Sequence, residues 1–311
     1  MRRLLVLGWA AGLLLGCSSG SDDGAPALTI LDAEPTTDAS ASQPVAGDDE
    51  AGTATAPPSS TGPTTTSAPL SPPDASPGEL IRLRPEVIRT IDRVPDAFTQ
   101  GLELSGDVLF ESSGLYGLSD LRRVDPDDWS VIDRVDLPDD VFAEGLTVVD
   151  DRVIVLSWQE STAFVHDIED LSLVGTFSYE TQGWGLCELG DGRLAMSDGS
   201  PTITIRDAAT FEALDRVEVT VEGDAIALIN ELECIDDRVW ANIWQTDAIV
   251  SFEVDDGIVD VVVDAAGLIE PDPADEDADA VLNGIAYLGE DRFLITGKLW
   301  PQAFEVRFVP E

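Results

Sequence analysis

A short pattern recurs five times in this chain and constrains its fold more than any other feature. Each copy consists of a polar or aromatic residue, then Gly or Glu, then Leu or Ile. We call the first residue of each copy, and the residue fourteen or fifteen positions after it, the marked residues. Where apolar runs flank a turn, as around residues 150–152, the pattern predicts a β-hairpin whose two marked residues emerge at the same end. The pairs are Gln100 and Gly114, Glu144 and Trp158, Trp184 and Asp198, Asn230 and Trp244, and Asn283 and Lys298.

A second motif has its own period and indicates how the hairpins are arranged. The sequence Ile/Leu-Asp-Arg-Val begins at residues 91, 132 and 214, in steps of 41 and twice 41, and a weaker copy, Leu173–Thr176, fills the gap. Repeats of roughly 40–50 residues built from short strands are typical of β-propellers. The sequence therefore predicts an all-β fold, a five-bladed β-propeller.

The remaining strands complete the predicted blades. Fourth strands are expected near residues 132, 173, 214 and 258, and no fourth strand follows the fifth hairpin. Segment Val87–Val94 precedes the first hairpin and carries the fourth-strand motif, so we expect it to pair with the C-terminal strands and close the ring. Third strands are expected at Leu121–Val124, Phe164–Asp167, Ile203–Arg206, Ile249–Phe252 and Phe304–Phe308.

The first sixteen residues have the features of an export signal. Arg2 and Arg3 precede an apolar run that is too short for an ordinary membrane span. The small residues before Cys17 resemble a bacterial lipobox, which implies cleavage there and lipid attachment to Cys17. We expect a lipoprotein signal over residues 1–16 and anchoring to the outer face of a bacterial cell membrane. The alternative, an ordinary secretory signal with an incidental Cys17, also predicts export.

Residues 17–80 have a composition that opposes folding. They are rich in Ser, Thr, Pro, Ala, Gly and Asp, and they show no strand period. Such a segment cannot bury enough apolar surface to offset its ordering entropy. We predict that the segment from the lipidated Cys17 to residue 80 is a disordered tether, and that residues 81–311 form the propeller domain, most simply as a monomer.

The charge of the chain excludes several classes of partner. Its formal net charge is −44, and removal of residues 1–16, which contain two arginines and no acids, makes it −46. Nucleic acid and anionic membrane surfaces would repel such a protein. We therefore expect no nucleic-acid partner, and membrane contact only through the lipid anchor.

Few residues could hold a metal ion. The chain has one histidine, His166, which lies on a predicted third strand and is expected to be structural. Cys187 and Cys234 lie in neighbouring repeats, where an exported protein could pair them as a disulfide or leave two buried thiols. A zinc site is not expected. We predict that no cofactor is required, although Asp198 could orient a neighbour or bind a structural cation.

Lys298 is unusual because it is the single lysine among seventeen basic residues. Arginine is the ordinary cation of this chain, so the exception suggests a need for a compact ammonium, which the planar guanidinium cannot reproduce. The alternative is chance survival of one lysine on the surface.

The ten paired positions are expected to meet at one mouth of the propeller channel. They comprise three tryptophans, two acids, three amides, one glycine and the lysine. Polar groups that converge in an aromatic cup are typical of a site for a small ligand. The alternative for the tryptophans is packing between blades.

Nine motifs in order resemble the plant-type glutaminyl cyclases, also called glutamine cyclotransferases, over residues 87–308. The resemblance implies a five-bladed propeller that converts the N-terminal glutamine of peptides to pyroglutamate, releases ammonia and needs no catalytic metal. The motifs are Phe98–Leu102, Ser113–Gly117, Glu144–Leu146, Gly183–Leu186, Met196–Gly199, Asn230–Glu233, Asn242–Asp247, Leu282–Ala286 and Thr296–Pro301.

The resemblance also implies roles for individual residues. The catalytic glutamate, asparagine and lysine of the family correspond to Glu144, Asn230 and Lys298. The residues that line the substrate site correspond to Phe98, Gln100, Phe142, Trp158, Trp184 and Trp244.

Two other functions are compatible with a propeller, because the fold hosts many activities. One is a non-enzymatic, membrane-tethered propeller that binds peptides or an envelope partner. The other is a calcium-dependent lactonase-like propeller, which would need more acids at the mouth than Glu144 and Asp198. The chain departs from the family in three features: the long tether, the strongly acidic composition and the acidic loop 270–279. These differences bear on substrate preference.

Overall fold

The computed structural model describes residues 80–269 and 279–311, and within them every helix or strand element is a β-strand. The predicted signal peptide at 1–16, Cys17, the tether as far as residue 79 and residues 270–278 of the acidic loop lie outside the described residues. The described residues contain no helix of the length and apolarity needed to cross a membrane. The predicted all-β fold is thus confirmed for the described part of the chain.

Three separate sheets each contain four antiparallel strands in sequence order. Their first strands begin at the predicted hairpins, and their third and fourth strands lie where the two motifs place them. The sheets comprise β2 (Thr99–Ser105), β3 (Val108–Ser113), β4 (Asp120–Val124) and β5 (Val131–Asp136); β6 (Ala143–Val149), β7 (Arg152–Ser157), β8 (Thr162–Asp167) and β9 (Leu173–Ser178); and β10 (Leu186–Gly190), β11 (Arg193–Met196), β12 (Thr202–Asp207) and β13 (Ala213–Glu218).

Eight further strands form one sheet that consists of two groups of four. A small ribbon of two strands precedes them, β14 (Thr220–Val221) and β15 (Asp224–Ala225). The first group is β16 (Ile229–Ile235), β17 (Arg238–Ile243), β18 (Ala248–Glu253) and β19 (Val259–Asp264); the second is β20 (Leu282–Gly289), β21 (Arg292–Gly297), β22 (Gln302–Pro310) and β1 (Ile81–Asp92).

Strand β1 closes the structure, as the sequence predicted. It pairs antiparallel with β22 from Leu83 opposite Pro310 to Asp92 opposite Gln302. Its first residues, 81–83, also pair in parallel with residues 261–263 of β19. One strand from the start of the domain therefore covers the edge of the last strand and joins two groups.

The first strands of the five described groups form a closed cycle of contacts. Strand β2 contacts β6, β6 contacts β10, β10 contacts β16, β16 contacts β20, and β20 contacts β2 again. The apolar core is divided accordingly into five clusters, each between two neighbouring groups. Burial of these sheet faces, at about 25 cal/mol per Å² of apolar surface, is the main term that holds the groups together.

An ion pair fixes the junction between the first and last groups. The side chains of Arg93 and Glu111 are both 0% exposed, and their nearest nitrogen and oxygen are 2.8 Å apart. Arg93 also donates hydrogen bonds to Thr99 at 3.1 Å and Thr296 at 2.8 Å, and its guanidinium lies 4.7 Å from the Trp129 ring centroid. Loss of either charge would leave the other buried, which typically costs about 3–5 kcal/mol.

A disulfide joins the third and fourth groups. Cys187 of β10 and Cys234 of β16 are bonded, with their Cα atoms 5.4 Å apart, which decides between the two alternatives for these thiols. Since the cysteines are 47 residues apart, closing the loop in the unfolded chain removes entropy worth about 4 kcal/mol at 25 °C in the chain-entropy model.

Candidate active site

Four of the marked residues lie at irregularities in the strand pairing. The register of the first hairpin strand shifts between residues 99 and 101, 143 and 146, 229 and 232, and 282 and 285. A bulge leaves a residue out of the ladder and re-aims its side chain, and bulges are common beside active sites. The residues at these shifts include Gln100, Glu144, Asn230 and Asn283.

At Gly101, Gly145 and Gly185, each of which follows a marked residue, the backbone of the neighbouring group comes so close that a side chain would not fit. The amide of Gly145 donates to the carbonyl of Trp184 at 2.6 Å. A Cβ at Gly145 would lie 2.5 Å from that oxygen, and one at Gly185 would overlap the carbonyl of Asn230. The repeated Gly therefore allows the first strands to converge and brings the marked side chains together.

Seven side chains form a closed ring of contacts, which we call the mouth of the candidate site. Four belong to the marked positions, two more were assigned from the resemblance, and the seventh, Gln182, was not predicted. Ring centroids are 5.7 Å apart between Trp158 and Phe142, 6.1 Å between Phe142 and Phe98, and 5.5 Å between Trp244 and Trp184. The Nζ of Lys298 lies 4.9 Å from the Phe98 centroid and 5.9 Å from the Trp244 centroid. Hydrogen bonds to Gln182 join Trp184 to Trp158 and close the ring.

The Gln182 carbonyl oxygen links two walls of this ring. The indole N–H of Trp158 donates to Oε1 of Gln182 at 2.7 Å, and that of Trp184 donates to the same oxygen at 3.1 Å. Trp158 lies in the loop between β7 and β8, whereas Trp184 and the shared acceptor lie together in the loop between β9 and β10. One exposed amide thus sets the relative position of two aromatic walls.

Glu144 and Lys298 are the buried charged groups of this site: Lys298 is a member of the ring, and Glu144 interacts with it electrostatically. They are 5% and 4% exposed, respectively, so the interpretation of Lys298 as a surface cation is wrong. Burial raises the pKa of Glu144 well above its ordinary value, and the positive charge of Lys298 opposes this. Burial lowers the pKa of Lys298 to about 8, against the effect of Glu144. Burial thus acts against the charged form of both groups.

Two amides complete the polar lining. The side-chain oxygen of Asn230 is buried and has no hydrogen-bond partner among the described residues. The Asn283 amide nitrogen donates to the carbonyl of Thr99 at 2.9 Å and to Oε1 of Gln100 at 3.3 Å, which orients the Gln100 amide. The Oδ1 atom of Asn230 is thus free to accept a hydrogen bond from a ligand, whereas Asn283 holds Gln100 in place.

The other marked positions make room or support loops. A Cβ at Gly114 would overlap the Phe142 ring, and Asp198 accepts a hydrogen bond from the amide of Ser200 at 3.0 Å. His166 lies away from the mouth, where Nδ1 is 2.8 Å from the carbonyl oxygen of Leu171, as expected for a structural residue. In residues 80–269 and 279–311 no group of three or more His, Cys, Asp or Glu side chains is arranged to hold a metal ion.

Six of the nine residues assigned from the resemblance are members of this ring, and Glu144 interacts electrostatically with Lys298. Gln100 and Asn230 lie at strand irregularities equivalent to the one at Glu144. The roles of all nine stay predictions. Sequence reasoning missed Gln182, Tyr116 and Glu160, which also lie at the mouth. Glu160 follows Trp158 by two residues and Gln182 precedes Trp184 by two. Proximity to a marked position was the available signal, but it does not predict which loop residues turn inward.

Comparison with known proteins accounts for this constellation. The model of the family described as glutamine cyclotransferase matches residues 63–308. The chain belongs to the glutamine cyclotransferase family. A family relative from Arabidopsis thaliana, named glutaminyl-peptide cyclotransferase, is 37% identical over 230 residues, which are 71% of this chain and 70% of the relative. The crystal structure of Myxococcus xanthus glutaminyl cyclase has 34% identity and a TM-score of 0.67, and the match covers 75% of this chain and all of that one.

Proposed function

We propose that this protein is a glutaminyl-peptide cyclotransferase, which converts the N-terminal glutamine of a peptide to pyroglutamate and releases ammonia. The observation that carries the proposal is the buried pair of Glu144 and Lys298 within the aromatic ring. Family membership and the names of the two relatives agree with it.

Glu144 is the proton carrier in this mechanism. The α-amine of the substrate attacks the carbon of the side-chain amide; a C–N bond forms within the new ring, and the bond to the leaving nitrogen breaks. The amine loses one proton and the leaving nitrogen gains one, so a single carboxyl group can transfer it. An α-amine has a pKa of about 7.7–8.0. Burial raises the pKa of Glu144 well above its ordinary value, which makes the ionised carboxylate a stronger base towards that amine.

Lys298 and Asn230 stabilise the amide oxygen as it becomes negative. A buried ammonium and a side-chain amide are donors of the kind found in oxyanion holes, and they act most strongly where water is excluded. Trp158, Trp184 and Trp244 provide the walls, and Phe98, Phe142 and Gln100 complete the lining. Enclosure holds the flexible glutamine side chain folded towards its own amine and disfavours hydrolysis.

The domain is, in this proposal, a five-bladed propeller over residues 81–311. The cycle of contacts among the first strands of five described groups supports it, as does the way β1 completes the last group. The proposal also includes a lipoprotein signal at 1–16, a lipid on Cys17, a tether to residue 80 and attachment to the outer face of a bacterial membrane. It further includes a monomeric state and a reaction without a cofactor.

The test is incubation of the purified protein with a peptide that begins with Gln. We expect mass spectrometry to show loss of one ammonia, in buffer with or without EDTA. The same peptide with an acetylated N-terminus lacks the attacking amine and should remain unchanged. If the folded protein binds the free peptide and leaves it intact, the non-enzymatic binding propeller replaces this proposal; if EDTA abolishes turnover and zinc restores it, the metal-free mechanism is wrong.

A further inference from the structure

Glu160 lies at the mouth and has no part in the mechanism described so far. It belongs to the loop between β7 and β8, two residues after Trp158. The hydroxyl of Tyr116, from the loop between β3 and β4, donates to Oε1 of Glu160 at 2.9 Å. The Tyr116 ring packs edge-on against Phe142, with centroids 5.4 Å apart. Two loops from different strand groups thus hold this carboxylate beside the aromatic ring.

The second oxygen of this carboxylate accepts no hydrogen bond from residues 80–269 or 279–311. Oε2 of Glu160 is buried and has no hydrogen-bond partner among the residues that the structure describes. A buried acceptor without a donor destabilises the free protein, and a ligand that supplies an N–H removes that cost. The pairing of Oε1 with Tyr116 leaves Oε2 as the acceptor for such a ligand.

The charge of Glu160 reaches the reaction centre. It contributes to the raised pKa of Glu144, after burial and against the opposite effect of Lys298. Glu160 therefore adds to the negative potential at Glu144. That potential, together with the unpaired Oε2 beside the aromatic ring, favours a cationic ligand.

We propose that Oε2 of Glu160 accepts a hydrogen bond from a cationic nitrogen of the bound peptide and is a specificity-determining contact of the active site. The inference rests on the proposed function, because every peptide with an N-terminal Gln carries an α-ammonium in its protonated form. The same chemistry is present in the side chain of a Lys that follows the Gln. A charge-assisted hydrogen bond of this kind is stronger than a neutral one and orients the peptide at the mouth.

The test compares wild type and Glu160→Gln on three peptides that begin Gln-Ala, Gln-Lys and Gln-Glu. The variant keeps an oxygen for Tyr116 and removes the charge. We expect KM to rise about tenfold, the loss of one charge-assisted hydrogen bond, with kcat within about threefold of wild type. An equal rise for all three peptides identifies the α-ammonium as the ligand, and a rise confined to Gln-Lys identifies the side chain.

Two further variants distinguish this contact from a general electrostatic effect of acidic residues near the mouth. Glu180→Gln removes an acid that is 79% exposed in the next mouth loop and should leave KM unchanged. Tyr116→Phe keeps the ring but frees Oε1, so it should raise KM less than Glu160→Gln does.

Three results would overturn the proposal. The first is a folded Glu160→Gln protein with KM within twofold of wild type on every peptide. The second is a loss in kcat alone, which would mean that Glu160 acts only through Glu144. The third is equal effects of Glu180→Gln and Glu160→Gln. If wild type converts none of the peptides, the proposed function fails, and this proposal fails with it. If wild type converts them, an unaffected Glu160→Gln variant counts against the role of Glu160 alone.

Discussion

The ammonium nitrogen of Lys298 lies 4.9 Å from the centroid of the Phe98 ring, in a position that is almost fully closed to solvent. An ammonium over an aromatic face is favoured electrostatically, and the contact is stronger when it is desolvated. The ring thus holds the only lysine of the sequence with its charge directed into the site.

Lys298→Arg should lower kcat by about 10²–10³, the usual effect of losing one oxyanion donor. The guanidinium keeps the charge, but it is larger and planar and cannot place a donor where the ammonium lies between Phe98 and Trp244. Steady-state kinetics on a Gln-initiated peptide measures this. Lys298→Met is the matched control: it should be equally inactive yet at least as stable, because it removes a charge that burial disfavours. Full activity of the arginine variant would show that the lysine is an accident of composition.

Glu144→Gln should lower kcat by about 10²–10⁴ and leave the fold intact, since the amide is nearly isosteric but cannot transfer a proton. Burial raises the pKa of Glu144, so its ionisation costs stability as the pH rises through that pKa. The variant should therefore melt at the same temperature as wild type or higher at pH 8. Thermal unfolding and turnover are measured on one preparation. Activity within threefold of wild type would remove Glu144 from the mechanism.

Gln182→Leu should raise KM severalfold and change kcat less, because Trp158 and Trp184 lose the oxygen that both N–H groups share. Gln182→Glu keeps an acceptor and should restore most of the affinity. Stability should change by no more than about 0.5 kcal/mol, as is usual for an exposed residue. The matched control is Gln159→Leu at another exposed mouth position, which should be silent. Equal kinetics for the two leucine variants would show that the shared hydrogen bonds do not position the walls.

Stability should fall as the pH rises from about 6 to 8. Burial raises the pKa of Glu103 to about 7, and those of Glu231 and Glu233 well above their ordinary value. Because these pKa values are higher in the folded state than in the unfolded one, the folded protein binds more protons, and stability is lost as the pH passes through the folded values. Thermal melts should show Tm falling by about 2–4 °C for each kcal/mol lost.

Glu103→Gln tests this dependence most directly. Its side-chain oxygen can still accept the hydrogen bond from the amide of Val148, which Glu103 accepts at 3.1 Å. The variant should show a flatter dependence of Tm on pH than wild type. A wild-type Tm that is constant or rises between pH 6 and 8 would contradict the assignment of raised pKa values to these inner-strand carboxyl groups.

Much of the fold was predictable because strand pairing leaves a regular trace in a sequence. The spacing of Glu144 and Trp158 follows from a hairpin in which side chains alternate and the partner strand returns at a set distance. The motif shared by Val87–Val94 and the fourth strands predicted the closure that β1 makes with β22. The resemblance of nine motifs added residue roles that no periodicity contains.

The sequence by itself determined the all-β class, the repeat and the closing strand, and the family resemblance added the nine candidate site residues. Only the tertiary structure decided that Gln182 joins Trp158 to Trp184, that Cys187 bonds to Cys234, and that Tyr116 holds one oxygen of Glu160. The reason is physical. Pairing within a hairpin depends on neighbours along the chain, whereas these contacts join loops and strands of different groups, whose distance is set by the packing of whole sheets.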